Sequence, residues 1–166
     1  LATSGGGEDG FPLLKTFIQA AAGAPWDGIV IAGPLAEEEQ RHTLRHLAAE
    51  VGVAFHTFVP NLAEQLGEAD ALVCKGGYNT LVEAVSNGTP TVCVPRTSPR
   101  KEQLIRAQAF ARLGLVRLVQ PDQLDADRLR TEVNTALQSS RQKLLEQAHT
   151  LLNFDGGRQT AACLLE

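Results

Sequence analysis

The sequence predicts an α/β protein, a doubly wound parallel sheet of about six strands with helices on both faces. Two observations carry that expectation. Short β-branched runs alternate with longer stretches of helical periodicity along the chain, the order that a parallel sheet with crossover helices produces. The inner runs, among them Ile29-Val30-Ile31 and Ala71-Leu72-Val73-Cys74, are apolar without alternation, as strands covered on both faces must be.

Each element follows in order. Leu1-Ala2-Thr3 reads as the end of a first strand, and a chain that opens on Leu rather than Met is expected to continue upstream. A glycine loop over 4–10 leads to a helix over 11–22. Residues 28–32 form a buried strand closed by Gly33-Pro34, and an amphipathic helix over 36–51 turns Leu44, Leu47 and Ala48 inward. The third strand is 53–58, and a short helix begins near Asn61. After the fourth strand, 71–74, Gly76-Gly77 turns the chain into a helix over 79–86, which Asn87-Gly88 stops with a left-handed cap. The fifth strand, 91–94, ends at Pro95; a helix over 101–113 and a short sixth strand over 116–119 follow. From Asp125 the chain is helical, with a break at Asp155-Gly156-Gly157. With no repeat and no low-complexity stretch, the 166 residues are read as one Rossmann-like domain.

Composition narrows the partners. The net charge of -4 lacks the basic footprint that nucleic acid requires, so no nucleic-acid partner is expected. No apolar run approaches the roughly 20 residues that span a bilayer. Cys74, Cys93 and Cys163 are odd in number, far apart and set among apolar residues, which reads as buried thiols in a reducing compartment. The expected location is cytoplasmic, including the cytoplasmic face of a membrane.

Gly5, Gly7 and Gly10 satisfy G-x-G-x-x-G between a strand and a helix, the dinucleotide pattern. That pattern also calls for an acid at the end of the second strand, to hold a ribose. Here the strand ends Ile31-Ala32-Gly33-Pro34, which weighs against a nicotinamide cofactor. The loop still suits an anion, because glycines let backbone N–H groups approach it and a helix N-terminus follows. A purely structural tight turn stays open, and Glu8 and Asp9 would oppose an anion if they turned inward.

The most informative stretch is Cys74-Lys75-Gly76-Gly77-Tyr78-Asn79-Thr80-Leu81-Val82-Glu83. It carries a buried strand through a Gly-Gly turn into a helix at the carboxyl edge of the sheet, where open α/β sheets bind ligands. Thr80 and Glu83 lie three apart on one helical face. A carboxylate there suits a ribose diol, and the same spacing is a capping box. Spacing alone leaves both open.

The stretch from Cys74 to Pro95, with Thr80, Glu83, Gly88-Thr89-Pro90 and the strand ending at Pro95, resembles the donor-site segment of glycosyltransferase family 28. The resemblance extends from the Gly5-Gly6-Gly7 loop to about Leu113. It implies the C-terminal half of a GT-B fold, a nucleotide-sugar-binding domain over 1–166 whose N-terminal acceptor domain is absent from this chain. By the same resemblance Glu83 binds the ribose hydroxyls, Gly77, Tyr78, Asn79 and Thr80 offer backbone N–H groups and the Thr80 hydroxyl to the α-phosphate, and Gly76 belongs to the same nucleotide-binding turn. Gly5, Gly6 and Gly7 face the diphosphate and sugar, the Val59 backbone reads the uracil edge, and Glu102 and Gln103 contact sugar hydroxyls. The stretch 96–100 departs from the family's commonest loop, and Glu102 stands at a position where members of the family also carry an amide.

The implied reaction is inverting transfer of a hexosyl group from a UDP-sugar, with no obligatory cofactor or metal. The catalytic base is unassigned and expected in the acceptor domain, which lies in the same longer chain or on a partner subunit. Peripheral membrane association is compatible with this reading. Two alternatives remain: a stand-alone UDP-binding subunit of a two-chain N-acetylglucosaminyltransferase, and a nucleotide-sugar-binding or hydrolysing module without transferase activity. His42 and His46 have the i, i+4 spacing of a metal pair but no third ligand, and read as a solvated helix face. His56 precedes the uracil-side loop, as a base neighbour or a rim residue. Arg96, Arg100, Lys101 and Arg106 form a local basic cluster of open purpose.

Overall fold

The computed structural model describes residues 1–6 and 8–156. Six strands make one parallel sheet: β1 (Ala2–Thr3), β2 (Ile29–Ile31), β3 (Ala54–His56), β4 (Leu72–Cys74), β5 (Thr91–Cys93) and β6 (Arg117–Leu118). Their spatial order is β3-β2-β1-β4-β5-β6. Among the described residues seven α-helices connect and follow them: α1 (Phe11–Ala21), α2 (Glu38–Val51), α3 (Leu62–Glu68), α4 (Tyr78–Ser86), α5 (Glu102–Arg112), α6 (Ala126–Leu137) and α7 (Arg141–Leu151). The doubly wound α/β architecture expected from the sequence is the one observed.

Side-chain alternation along the strands divides the interior. Val73 and Val92 turn to one face, where they meet Leu14, Phe17 and Ile18 of α1, Leu44 of α2 and Leu129 of α6. Leu72, Cys74 and Cys93 turn to the other, against Leu66 of α3, Leu81 and Val85 of α4, Ala107 of α5 and Ala148 of α7. Because every β-α-β crossover lays its helix on one of these faces, the inner strands are covered on both sides and are mainly apolar, with Thr3 and Thr91 as buried polar exceptions. Full burial of Phe17 and Leu81 contributes roughly 1.5–3 kcal/mol each.

The C-terminal helical run is not continuous as expected from Asp125 onward. It breaks at 138–140, because Ser140 accepts the Lys143 N–H (3.3 Å) and restarts the helix as an N-cap. Asp125 caps α6 in the same way, through the Arg128 N–H at 2.8 Å. These two helices hold earlier ones by their ends. Arg130 donates to the carbonyls of Ala20 (2.7 Å) and Ala22 (2.8 Å) at the end of α1. Arg141 donates to those of Gly67 and Ala69 at the end of α3. Guanidinium groups there satisfy orphan carbonyls and complement the negative pole of each helix. Gly157 and Cys163 lie outside the described residues. Among the described residues no helix is long and apolar enough to cross a membrane.

Candidate functional site

In this strand order β1 and β4 are neighbours, and the helices that follow them leave to opposite faces. Their carboxyl ends therefore open a crevice, the switch point at which such sheets bind ligands. A cavity of about 300 Å³ occupies it. Thr3, Ser4, Gly5 and Gly6 form its β1 side; Cys74, Lys75, Gly77, Tyr78, Asn79 and Thr80 form its β4 side, and Gln103 of α5 closes it.

The end of β2 holds the β1 loop in shape. Ser4 Oγ donates to the Ala32 carbonyl (2.8 Å), and the Leu35 N–H donates to the Gly6 carbonyl (2.8 Å). Gly33, with φ +92°, lies so close that a Cβ would stand 2.3 Å from the Gly5 oxygen. That strand end is a backbone support, and it contributes no residue to the cavity wall.

Helix α4 begins earlier than the sequence predicts. Gly77 is its N-cap, in an extended conformation (φ -55°, ψ 146°), and no side chain caps it. The first intrahelical bond runs from the Leu81 N–H to the Gly77 carbonyl (3.0 Å). Tyr78, Asn79 and Thr80 are left with the free N–H groups of the helix start, at the cavity wall. The capping box that Thr80 and Glu83 also allowed is not formed. Thr80 is the third helical residue rather than the cap, because the chain turns straight from β4 into the helix at Gly77. Glu83 is half-buried one turn beyond Thr80 and outside the cavity wall. Among the described residues its carboxylate has no hydrogen-bond or ion-pair partner.

The other predicted site residues distribute as follows. Gln103 lines the cavity while its Oε1 accepts the Arg96 N–H at 3.1 Å. Glu102 is exposed and lies 3.6 Å from the Arg96 guanidinium. Val59 sits half-buried in the loop after β3, on the same carboxyl edge but off this wall. Gly76 is buried beneath the turn, against Cys93, and Gly7 lies outside the described residues. His42 and His46 are exposed, and among the described residues no cluster could hold a metal ion.

Sequence reasoning missed the strongest cation of the site. Lys75 is buried, lines the cavity, pairs with the Asp9 carboxylate and donates to the Asp9 carbonyl at 3.0 Å. A signal was present: a charged residue between a fully buried strand and a Gly-Gly turn needs a partner to stay there. Of the basic cluster, Arg106 donates to the Gly76 carbonyl (2.9 Å) and stacks 5.3 Å over the Tyr78 ring, whereas Arg100 and Lys101 are exposed. A larger cavity of about 410 Å³ lies around the amino ends of β5 and β6. Its charge is already satisfied, Glu132 being bound by Arg117 (2.5 Å) and Arg128 (2.8 Å).

Strand order, crevice and glycine turns together define a Rossmann-like domain of the kind found in GT-B glycosyltransferases. The chain belongs to glycosyltransferase family 28: residues 13–159 match the family's C-terminal domain. It is 32% identical over 102 residues to the UDP-N-acetylglucosamine–N-acetylmuramyl-(pentapeptide) pyrophosphoryl-undecaprenol N-acetylglucosamine transferase of Mannheimia succiniciproducens, covering 61% of this chain and 27% of that protein. To the Haemophilus ducreyi enzyme of the same name it is 25% identical over 164 residues, covering 97% of this chain and 46% of the relative. The chain thus spans a quarter to a half of the length of these relatives. Among solved structures, Acinetobacter baumannii MurG shares the fold at a TM-score of 0.69 and 22% identity, over 89% of this chain and 43% of its own. The calicheamicin glycosyltransferase CalG4 shares it at 0.69 and 24%, over 89% and 36%.

Proposed function

We propose that this chain is the donor-binding domain of an inverting family 28 glycosyltransferase, taking a UDP-sugar and acting only with an N-terminal acceptor domain in the same longer chain or on a partner subunit. The observation that carries this is the facing of three free N–H groups of α4 and the buried Lys75 across one crevice from the Gly5-Gly6 loop. The N–H donors of α4 are fixed before a diphosphate arrives, Lys75 adds a cation at the same crevice, and together they stabilise the charge that grows on the diphosphate as the glycosidic bond breaks. Preorganised donors of this kind make a metal unnecessary for the leaving group. In this reading Glu83 holds the ribose, Val59 meets the uracil, and Glu102 and Gln103 contact the sugar. The acceptor hydroxyl and its base come from the other half. A lipid-linked acceptor, as the names of the relatives carry, would bring the protein to the cytoplasmic face of a membrane.

Calorimetric titration with UDP, TDP, GDP and NAD tests the nucleotide assignment. UDP is expected to bind at about -4 to -7 kcal/mol, a value suited to half of a cleft. Preference for NAD, or no nucleotide binding, would overturn it. Without the acceptor half the chain is expected to transfer no sugar, and robust transfer unaided would place the base within this domain.

Gly77 gives a sharper local test. Its backbone suits alanine, and an added Cβ would meet nothing within 4 Å, pointing into open space at the cavity wall. Gly77→Ala is therefore expected to cost no more than about 1 kcal/mol of stability, the scale of exchanging a favoured N-cap residue for alanine. A methyl group between the free N–H groups and a phosphate should cost about 1 kcal/mol of UDP affinity, through lengthened hydrogen bonds. Unchanged affinity would move the phosphate away from the start of α4.

A further inference from the structure

Three loops meet at one carboxylate. Asp9, from the loop after β1, pairs with Lys75 at the end of β4 and lies 3.7 Å from the Arg96 guanidinium, in the loop after β5. The two sides of the main pair differ sharply in exposure: the Lys75 side chain is 10% exposed and that of Asp9 45%. Lys75 lines the 300 Å³ crevice, and together with Asp9 and Arg96 it also lines a second cavity of about 260 Å³. The Asp9–Lys75 contact is thus part of the partition between them. The Arg96 Nε is buried with no hydrogen-bond partner, so its donor fork is only partly used.

We propose that Asp9 is an internal competitor for the anion of the ligand: its carboxylate holds Lys75, and a diphosphate entering the crevice must take Lys75 from it. This rests on the reading of the crevice as a diphosphate site. The asymmetry of burial gives the exchange its direction. Lys75 cannot leave for water and must keep an anionic partner at every stage, because a buried unpaired charge is costly. Asp9 can turn into solvent at little expense, since a half-exposed carboxylate already retains much of its hydration. A phosphate offers the ammonium the same charge-assisted hydrogen bonds with more negative charge behind them. Arg96 stands near enough to follow, between Asp9 and Glu102. Asp9 then sets how tightly the site holds its anion and keeps Lys75 poised between ligands.

The test is calorimetry on the whole chain with UDP and with uridine, which lacks the phosphates. Asp9→Asn and Asp9→Ser, each shown to be folded by its thermal transition, are compared with the unchanged protein. Removing the competitor should tighten UDP by about three- to tenfold, the scale of one half-exposed ion pair, and leave uridine unaffected. In a Lys75→Met background the same substitution should bring no gain. With the unchanged protein, the Lys75 Nζ resonance should shift on addition of UDP and stay fixed with uridine. If the unchanged protein binds UDP and both Asp9 variants bind it equally or more weakly, Asp9 merely positions Lys75 and the inference falls alone. If neither the unchanged protein nor the variants bind UDP, the diphosphate reading falls and takes this inference with it. Binding that emerges only in the Asp9 variants would be the strongest support.

Discussion

Gly33→Ala is expected to destabilise the protein by about 3 kcal/mol, which for a chain of this size lowers the thermal midpoint by about 6–12 °C. Two costs add. At φ +92° an L side chain is strained by roughly 1–2 kcal/mol. The new methyl would also stand 2.3 Å from the Gly5 oxygen and 2.7 Å from the Gly6 oxygen. Both are backbone atoms, so no rotamer relieves the contact, and displacing them costs a further 1–3 kcal/mol or so. Gly6 is moreover tied to the same turn by the Leu35 N–H, so the loop cannot yield without breaking that bond. Weaker UDP binding should accompany the lower midpoint, because the displaced loop is one wall of the crevice. Gly6→Ala is the matched control: its Cβ would find only Leu35 Cδ1, at an ordinary 3.5 Å. A midpoint for Gly33→Ala within about 2 °C of the unchanged protein would show that the end of β2 does not support the loop.

The sheet was legible because burial on both faces leaves a trace in composition. Leu72, Val73 and Cys74 must all be apolar when one face meets α4 and the other α1, and that requirement is local to the strand. Helix starts were less legible. A helix can begin at Tyr78, Asn79 or Leu81 with the same periodicity, and the choice is made by the extended backbone of Gly77, a property of the turn rather than of the helix. The same one-turn difference decided between capping and a free Thr80. Least legible was the Lys75–Asp9 pair, whose members are 66 positions apart and become neighbours only through the order in which the strands assemble. Sequence spacing places a residue on its own element; the distance between elements belongs to the sheet. Hence Gly5, Gly6, Gly77, Tyr78, Asn79, Thr80 and Gln103 gather at one cavity, while Val59, Gly76, Glu83 and Glu102 stand off its wall.

Glu83→Gln is expected to weaken UDP binding by about 1–3 kcal/mol, the worth of hydrogen bonds to a charged group, while leaving stability within about 0.5 kcal/mol. The structure sharpens this contrast. A capping carboxylate would couple affinity to helix stability, but α4 is capped by no side chain, and among the described residues the Glu83 carboxylate binds nothing. Glutamine keeps its size and its helix propensity and removes only the charge. Any loss must then arise from what the carboxylate does to a ligand, and a ribose diol offers two donors to a group that, when ionised, only accepts. Comparing UDP with 2′-deoxy-UDP isolates that contact. The unchanged protein should discriminate between the two, and Glu83→Gln should discriminate far less. Equal UDP affinity for both proteins, with the midpoint unmoved, would remove Glu83 from the donor site. The free N–H groups of Tyr78, Asn79 and Thr80 would then carry the nucleotide end of α4 without it, because their exposure to the crevice depends on Gly77 and not on Glu83.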